Sequence, residues 1–116
     1  MSKGISPQLE EKIKQYQSIQ QKMSALQQQI QQLKIEQIEI DKALKEIDEM
    51  PDDEVCYRSI GRLMVKSTIK ETKEKLSDQK ELAETRIKLS EKSSEKLKKQ
   101  FDELEETIKA ALGTGQ

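Results

Sequence analysis

The chain has 116 residues, of which 37% are charged and 3% aromatic, so it is long enough for one domain but poor in material for a round globular core. Its net charge is −1 with the signs interspersed, which excludes the basic footprint of a nucleic-acid-binding protein. No apolar run approaches the roughly 18 residues of a membrane span, and no signal peptide is recognisable, so we expect neither membrane insertion nor secretion.

A first long helix is predicted over residues 6–50. Ser6 is a suitable capping residue, and Pro7 has the fixed backbone angle that suits a first helical turn. Pro51 disfavours helical geometry at Met50 and lacks a backbone donor, so we expect the helix to end there.

A second long helix is predicted over residues 68–112. The stretch Thr68-Ile69-Lys70-Glu71 has the spacing of a capping box, which marks a helix start. Gly113 is a suitable C-terminal stop, and we expect a flexible tail over residues 113–116. The two helices account for most of the chain.

Between the helices, residues 54–67 are predicted to form a β-hairpin. Two short runs rich in β-branched and aromatic residues flank Gly61-Arg62, and a two-residue Gly-X connection fits a tight turn with a positive φ at the glycine. The predicted pairs are Ile60 with Leu63, Arg58 with Val65, and Tyr57 with Lys66.

In this register, both faces of the hairpin carry apolar side chains. These candidate assembly residues are Val55, Tyr57, Ile60, Leu63, Met64 and Val65. An isolated two-stranded hairpin is marginal in water, and the chain has no further strand to cover this one. We therefore expect the covering strands to come from other chains.

A heptad period predicts that the two helices form a coiled coil. Apolar residues recur at alternating spacings of three and four from Ile5 to Ile47 and again from Ile69 to Ala111. An antiparallel hairpin places Tyr16 opposite Phe101, Ile19 opposite Leu97, and Gln37 opposite Lys80. A parallel homodimer that uses each arm separately is the alternative.

At the end that carries both termini, apolar residues are predicted to form a binding tip. The candidate residues are Ile5, Leu9, Ile13, Ile108 and Leu112. Terminal turns fray easily, and a frayed apolar patch suits weak binding to many unfolded chains. The alternative is that these residues only close the coil. For four further apolar residues off the seam, we expect broadened packing along the coil: Ile35, Ile38, Leu82 and Leu89.

The sequence offers no constellation for catalysis. It has no histidine and one cysteine, which excludes an ordinary zinc set, and it lacks the glycine-rich patterns that cradle phosphates. We interpret Asp52-Asp53 as a solvated turn rather than a cation site, and Cys56 as a small hairpin side chain rather than a reactive thiol. We therefore predict no enzyme activity and no cofactor. A single cysteine also favours a reducing cytosol.

The hairpin and its flanks resemble the β-type subunits of prefoldin. The local pattern D-D-x-V-x-Y-x-S-I-G-x-L-x-V-K carries the resemblance, which extends over both helices. Within the family, the stretches Gly61-Arg62-Leu63-Met64 and Gln79-Lys80-Glu81-Leu82-Ala83-Glu84 are most similar to eukaryotic prefoldin subunit 1. The archaeal β subunit is also similar, and Cys56-Tyr57-Arg58 resembles eukaryotic subunit 2.

The resemblance implies a mainly α fold, namely a long antiparallel two-helix coiled coil whose central β-hairpin joins an intersubunit β-barrel. It also implies a cytoplasmic hexamer of two α-type and four β-type subunits, which captures unfolded proteins at its coiled-coil tips without ATP and delivers them to a group II chaperonin. The resemblance thus makes the predicted tip a client-binding tip. Actin and tubulin are the implied eukaryotic clients. The alternative function is a structural coiled-coil adaptor or tether for one folded partner.

Overall fold

The computed structural model describes residues 5–113, and residues 1–4 and 114–116 lie outside the described residues. The elements follow in the order α1 (Pro7–Ile47), β1 (Val55–Ile60), β2 (Leu63–Thr68) and α2 (Ile69–Gly113). The fold is mainly helical, with helices of 41 and 45 residues joined through an antiparallel hairpin. Gly113, predicted to begin a flexible tail, belongs to α2, and the other tail positions lie outside the described residues.

Ser6 caps α1 as its position before Pro7 predicts. Its hydroxyl oxygen accepts a hydrogen bond from the backbone N–H of Leu9 at 3.1 Å, and its carbonyl accepts the first helical bond from Glu10 at 2.9 Å. The hydroxyl thereby satisfies one of the backbone donors that a helix start leaves unpaired.

Helix α1 ends at Ile47, three residues before the predicted end at residue 50. The Met50 N–H turns back to the Ile47 carbonyl at 3.1 Å, which is the shorter spacing of a closing turn. The Asp48 carbonyl accepts from the Lys73 ammonium at 3.1 Å instead of a helical N–H. The helix therefore ends before Met50, the residue that directly precedes Pro51.

The turn between α1 and β1 is tied to the start of α2. The backbone N–H of Ile69 donates to the Glu54 carbonyl at 3.0 Å, and that of Lys70 donates to the Asp52 carbonyl at 3.0 Å. Two donors that would be unpaired at a helix start are therefore satisfied by backbone carbonyls distant in sequence. These bonds hold the turn predicted at Asp52-Asp53 against the start of α2.

The predicted capping box at the start of α2 is half formed. The Glu71 N–H donates to the Thr68 hydroxyl at 3.3 Å, as the pattern predicts. The Glu71 carboxylate, however, accepts a hydrogen bond from the hydroxyl of Ser67 at 3.1 Å. The buried serine hydroxyl competes for this carboxylate, which therefore anchors the hairpin rather than completing the box.

The chain divides into two compact units, and the unit with the hairpin comprises residues 31–88. Its core consists of buried seam residues, namely Leu33, Ile40, Ile69, Ala83 and Ile87. The ammonium of Lys80 lies 2.9 Å from an Asp41 carboxylate oxygen, whose hydrogen bond and negative charge raise the pKa of Lys80. The sequence predicted a polar layer between Gln37 and Lys80. The long side chain of Lys80 instead reaches Asp41 and forms an ion pair with it.

The other unit comprises residues 1–30 and 89–116, of which the structure describes 5–30 and 89–113. The rings of Tyr16 and Phe101 stack at a centroid distance of 4.5 Å, which confirms the predicted layer. The Tyr16 hydroxyl donates to Glu105 at 3.0 Å. Loss of solvent around the phenol, then this hydrogen bond and the carboxylate charge, raise the pKa of Tyr16.

Four off-seam residues correct the sequence analysis. Ile35, Ile38, Leu82 and Leu89 were expected to broaden packing along the coil, but each is exposed. In the heptad set by the buried seam these residues fall at the outer b, c and f positions, whose side chains point away from a partner helix. They contribute to the surface and not to the core.

Candidate functional site

The hairpin turn is built on Gly61, whose φ of +58° confirms the predicted left-handed backbone. Among the described residues, no residue other than glycine has a positive φ. In this turn, therefore, Gly61 has a positive φ and Arg62 has a negative one. A positive φ at the first turn residue and a negative φ at the second are the signs that a II′ turn requires, and the twist of such a turn matches that of two antiparallel strands. No atom lies within 4 Å of a Cβ placed on Gly61, so the requirement for glycine is one of backbone angle and not of space.

The strand register agrees with the predicted register at every pair. Ile60 lies opposite Leu63, Arg58 opposite Val65, and Tyr57 opposite Lys66. Residues directly opposite each other share a face, so Ile60, Leu63 and Val65 lie on one face, and Val55, Tyr57 and Met64 lie on the other. The alternation of side chains thus divides the apolar residues between both faces.

The base of the hairpin is anchored to the first turns of α2. The thiol of Cys56 lies 3.2 Å from the Thr72 hydroxyl, and Ser67, which is buried, bonds to Glu71. Cys56 is half-buried, which fits the predicted small hairpin side chain. Packing against α2 therefore covers only the base of one face.

Beyond this base, both faces are open. All six predicted assembly residues are exposed, with exposed fractions from 40% at Val65 to 68% at Leu63: Val55, Tyr57, Ile60, Leu63, Met64 and Val65. Full burial of such side chains is worth about 1.5–3 kcal/mol each. A sheet of two strands that leaves this much apolar surface in water is marginal alone.

Both edges of the hairpin are open as well, because the sheet contains only β1 and β2 among the described residues. Every second residue of an edge strand points its backbone N–H and C=O outward. Unpaired edges with apolar faces provide the hydrogen bonds and the buried area that strand addition requires.

The predicted client tip is less open than the hairpin. Of its five residues, Ile5 and Leu112 are exposed by 37% and 52%, Ile13 and Ile108 are half-buried, and Leu9 is buried. Leu9 is therefore a core residue of the folded state and reaches a ligand only after the ends fray. Of the predicted tip residues, Ile5 and Leu112 are therefore exposed without a change in the helices, and the others are partly or fully covered.

The two sides of the helix pair near the tip differ in polarity. On one side, a groove is lined by the apolar residues Ile13, Tyr16 and Ile108, with a rim of Gln17, Gln20, Glu105 and Lys109. A groove on the other side is lined mainly by polar residues, among them Lys12, Lys22, Gln100 and Glu103. Ile19 and Leu104 also line this second groove, so apolar contact without fraying is available in both grooves, and the first groove has the less polar lining.

The described residues offer no group of three or more metal-ligating side chains. Asp52, which was considered as a cation ligand, lies 3.5 Å from the Lys73 ammonium and helps to hold the turn. No helix in the described range is long and apolar enough to cross a membrane.

Comparison with known proteins agrees with this architecture. The family model described as Prefoldin subunit matches residues 10–115. The prefoldin subunit beta of Methanosarcina acetivorans is 35% identical over 113 residues, covering 97% of each chain. That of Thermococcus kodakarensis is 36% identical over 109 residues, covering 94% of this chain and 93% of the relative.

A solved structure is similar over the same range. The crystal structure of the prefoldin beta subunit from Thermococcus strain KS-1 matches with a TM-score of 0.81 and 35% identity. The match covers 96% of this chain and 97% of that one, so both helices and the hairpin are included.

Proposed function

Because this chain belongs to the prefoldin family, a family of chaperones not known as enzymes, we propose that it is a β-type subunit of a hexameric holdase. In this proposal two α-type and four β-type subunits assemble in the cytoplasm, and their hairpins form a β-barrel platform. The complex captures unfolded proteins at its coiled-coil tips without ATP and delivers them to a group II chaperonin. Actin and tubulin are the clients proposed for a eukaryotic member.

The observation that carries the assembly part of the proposal is the open hairpin. Its apolar side chains are exposed on both faces while its base is fixed to α2. A surface that is both ordered and apolar suits obligate association, because little ordering entropy remains to be lost on binding. Strand addition at both edges leaves no edge free once a barrel closes.

The tip supplies the capture part of the proposal. Ile5 and Leu112 are exposed, and the groove lined by Ile13, Tyr16 and Ile108 lies in the same unit of the chain. Burial of apolar area is non-directional, so such a surface tolerates many client sequences. Each tip binds weakly, and several tips on one platform bind usefully through effective concentration.

Client range tests this function. The assembled complex should suppress aggregation of two unrelated denatured proteins in the absence of ATP, and addition of ATP should not change the yield. A tether for one folded partner would leave both client proteins to aggregate. Light scattering measures the outcome, and failure to protect either client would contradict the holdase.

Native mass spectrometry of the endogenous complex tests the composition separately. The expected species is a hexamer with two α-type and four β-type subunits. A complex of another stoichiometry that still protects clients would contradict the architecture and leave the holdase function in place.

A further inference from the structure

Each of the first five residues of α2 forms a hydrogen bond to another segment of its unit: Ile69, Lys70, Glu71, Thr72 and Lys73. The first two bond through their backbone N–H groups to the turn that precedes β1. The side chains of the next two bond to Ser67 of β2 and to Cys56 of β1. Lys73 bonds closest to α1, because its acceptor Asp48 directly follows the last residue of that helix. The start of α2 therefore holds both strands, the turn and the end of α1 together.

One side chain, that of Lys73, joins the end of α1 and the turn to α2. Its ammonium donates to the Asp48 carbonyl at 3.1 Å and lies 3.5 Å from a carboxylate oxygen of Asp52. Carbonyl groups at a helix end lack helical partners and carry a partial negative charge, so a cation from the neighbouring helix is favourable there. The lysine thus binds two points of the connecting segment, residues 48–54, at once.

The position of Lys73 in the heptad is one where an apolar residue would pack better. It lies four residues after Ile69 and three before Leu76, in line with the seam of α2. Ile69 is buried, whereas the side chain of Lys73 remains 28% exposed. A lysine in place of an apolar seam residue costs stability and is tolerated where it specifies the arrangement of the helices. The two contacts of its ammonium indicate which arrangement this lysine specifies.

The two helices are joined to the hairpin in different ways. Helix α2 follows β2 without an intervening residue. Helix α1 is separated from β1 by residues 48–54, whose backbone bonds to α2 involve the carbonyls of Asp52 and Glu54. A connection of this length leaves several backbone dihedrals free unless further contacts fix it. Of the bonds from α2 to this segment, that of Lys73 to Asp48 lies closest to α1.

We propose that Lys73 is a positioning residue, which fixes the end of α1 on α2 and thereby sets the direction in which the two helices leave the hairpin. The inference rests on the proposed function, since that direction determines how the helix pair of this chain projects from the platform. Without the ammonium, the backbone bonds of the turn remain, but the first residues after α1 lose their tie to α2. The hairpin and the helices then move relative to each other instead of as one body.

Hydrogen exchange of the full chain tests the inference. Lys73→Met keeps an unbranched side chain of similar length but removes the ammonium. The amide hydrogens of Ile69 and Lys70, which bond to the turn, should exchange at least about fivefold faster, the factor expected for the loss of one hydrogen bond. The amides of Ala83 and Ile87, in the middle of α2, should exchange at the wild-type rate. Faster exchange at all four positions would mean that Lys73 supports overall stability only, and unchanged exchange at Ile69 and Lys70 would also overturn the inference.

Two further variants serve as controls. Lys73→Arg keeps the charge and the donors, so it should restore slow exchange of Ile69 and Lys70. Lys75→Met removes an exposed ammonium of the same helix two residues away and should have no effect. Equal acceleration in Lys75→Met would show that the loss of any lysine near the hairpin has this effect, which overturns the inference. Rapid exchange in Lys73→Arg would overturn it as well.

A readout on the assembled complex separates this inference from the proposed function. Negative-stain electron microscopy of complexes with wild-type or Lys73→Met chains measures the spacing between the ends of the helix pairs. The variant should assemble with the same stoichiometry but show a wider distribution of these spacings, while Lys75→Met should match wild type. An unchanged distribution overturns the inference and leaves the proposed function in place. Failure of the wild-type chain to assemble overturns the proposed function, and the exchange experiment on the single chain still decides the role of Lys73.

Discussion

The hairpin and the predicted client tip are both rich in apolar residues, but they expose them differently. Leu63 and Met64 of the hairpin are exposed by 68% and 66%, whereas Leu9 at the tip is exposed by 6%. In the hairpin, α2 covers only the base of one face, and no other part of the described chain covers the rest. Near the tip, the paired helices bury part of the same kind of surface in their own seam. Apolar content therefore predicts a binding surface only where the chain lacks a partner for it.

The largest expected effect comes from charging the hairpin. Ile60→Asp with Val65→Asp places carboxylates on one exposed face, where assembly would bury them without a designed partner. The complex should be lost while circular dichroism shows that the helices remain. The matched control, Ile35→Asp with Ile38→Asp, charges two exposed helical isoleucines and should leave assembly intact. A variant that assembles at normal size would show that the hairpin is not the platform.

The next effect concerns the tip. Ile5→Ser, Ile13→Ser and Leu112→Ser together should leave the hexamer and its helicity in place but abolish suppression of client aggregation. The control changes Ile35, Ile38 and Leu82 to Ser, which also removes exposed apolar area from helices but in the unit of the chain that lacks the tip residues. Equal loss in the control, or full activity in the tip variant, would mean that clients are held elsewhere.

A smaller effect, on the free energy of unfolding, should distinguish buried seam residues from exposed residues on the same helix. Ile40→Ala removes a buried side chain and should lower the free energy of unfolding by about 2–5 kcal/mol. Ile38→Ala, on the same helix but exposed, should change it by no more than about 0.5 kcal/mol. Urea denaturation of both variants measures the difference. Equal costs would contradict the assignment of the seam.

The smallest effect concerns Tyr16. Tyr16→Phe keeps the ring stack with Phe101 but removes the hydrogen bond to Glu105, so we expect a slight loss of stability. The pKa of Tyr16 is raised above 10.0 in the folded state, so the phenol stabilises the fold while it is protonated. That contribution should fade as the pH rises above about 10, where the unfolded chain ionises first. A stability difference between wild type and variant that stays constant from neutral pH to pH above 10 would contradict this.

Sequence reasoning succeeded where structure depends on local chemistry or on a long period. Gly61 fixed the turn and hence the register, because few residues adopt its backbone angle. The Tyr16–Phe101 layer followed from a seam of alternating three- and four-residue spacing, which allows little freedom in an antiparallel pair.

It failed where side chains choose between nearby partners. The ammonium of Lys80 reaches Asp41 rather than a layer with Gln37, and the carboxylate of Glu71 bonds to Ser67 rather than back to the capping residue. Such choices depend on side-chain reach in three dimensions, which spacing along the chain does not specify. The exposure of Ile35 and Leu82 was predictable in principle, since both lie at outer heptad positions.

The central claim is that other subunits cover the exposed faces of the hairpin, and hydroxyl-radical footprinting of the assembled complex tests it most directly. Tyr57 and Met64 are 62% and 66% exposed in the single chain, and Leu89 of α2, at 60%, serves as an internal reference. In the complex, Tyr57 and Met64 should be strongly protected relative to the unassembled Ile60→Asp, Val65→Asp variant, while Leu89 reacts equally in both. Oxidation of Tyr57 and Met64 at the same rate in the complex and in the variant would contradict the account.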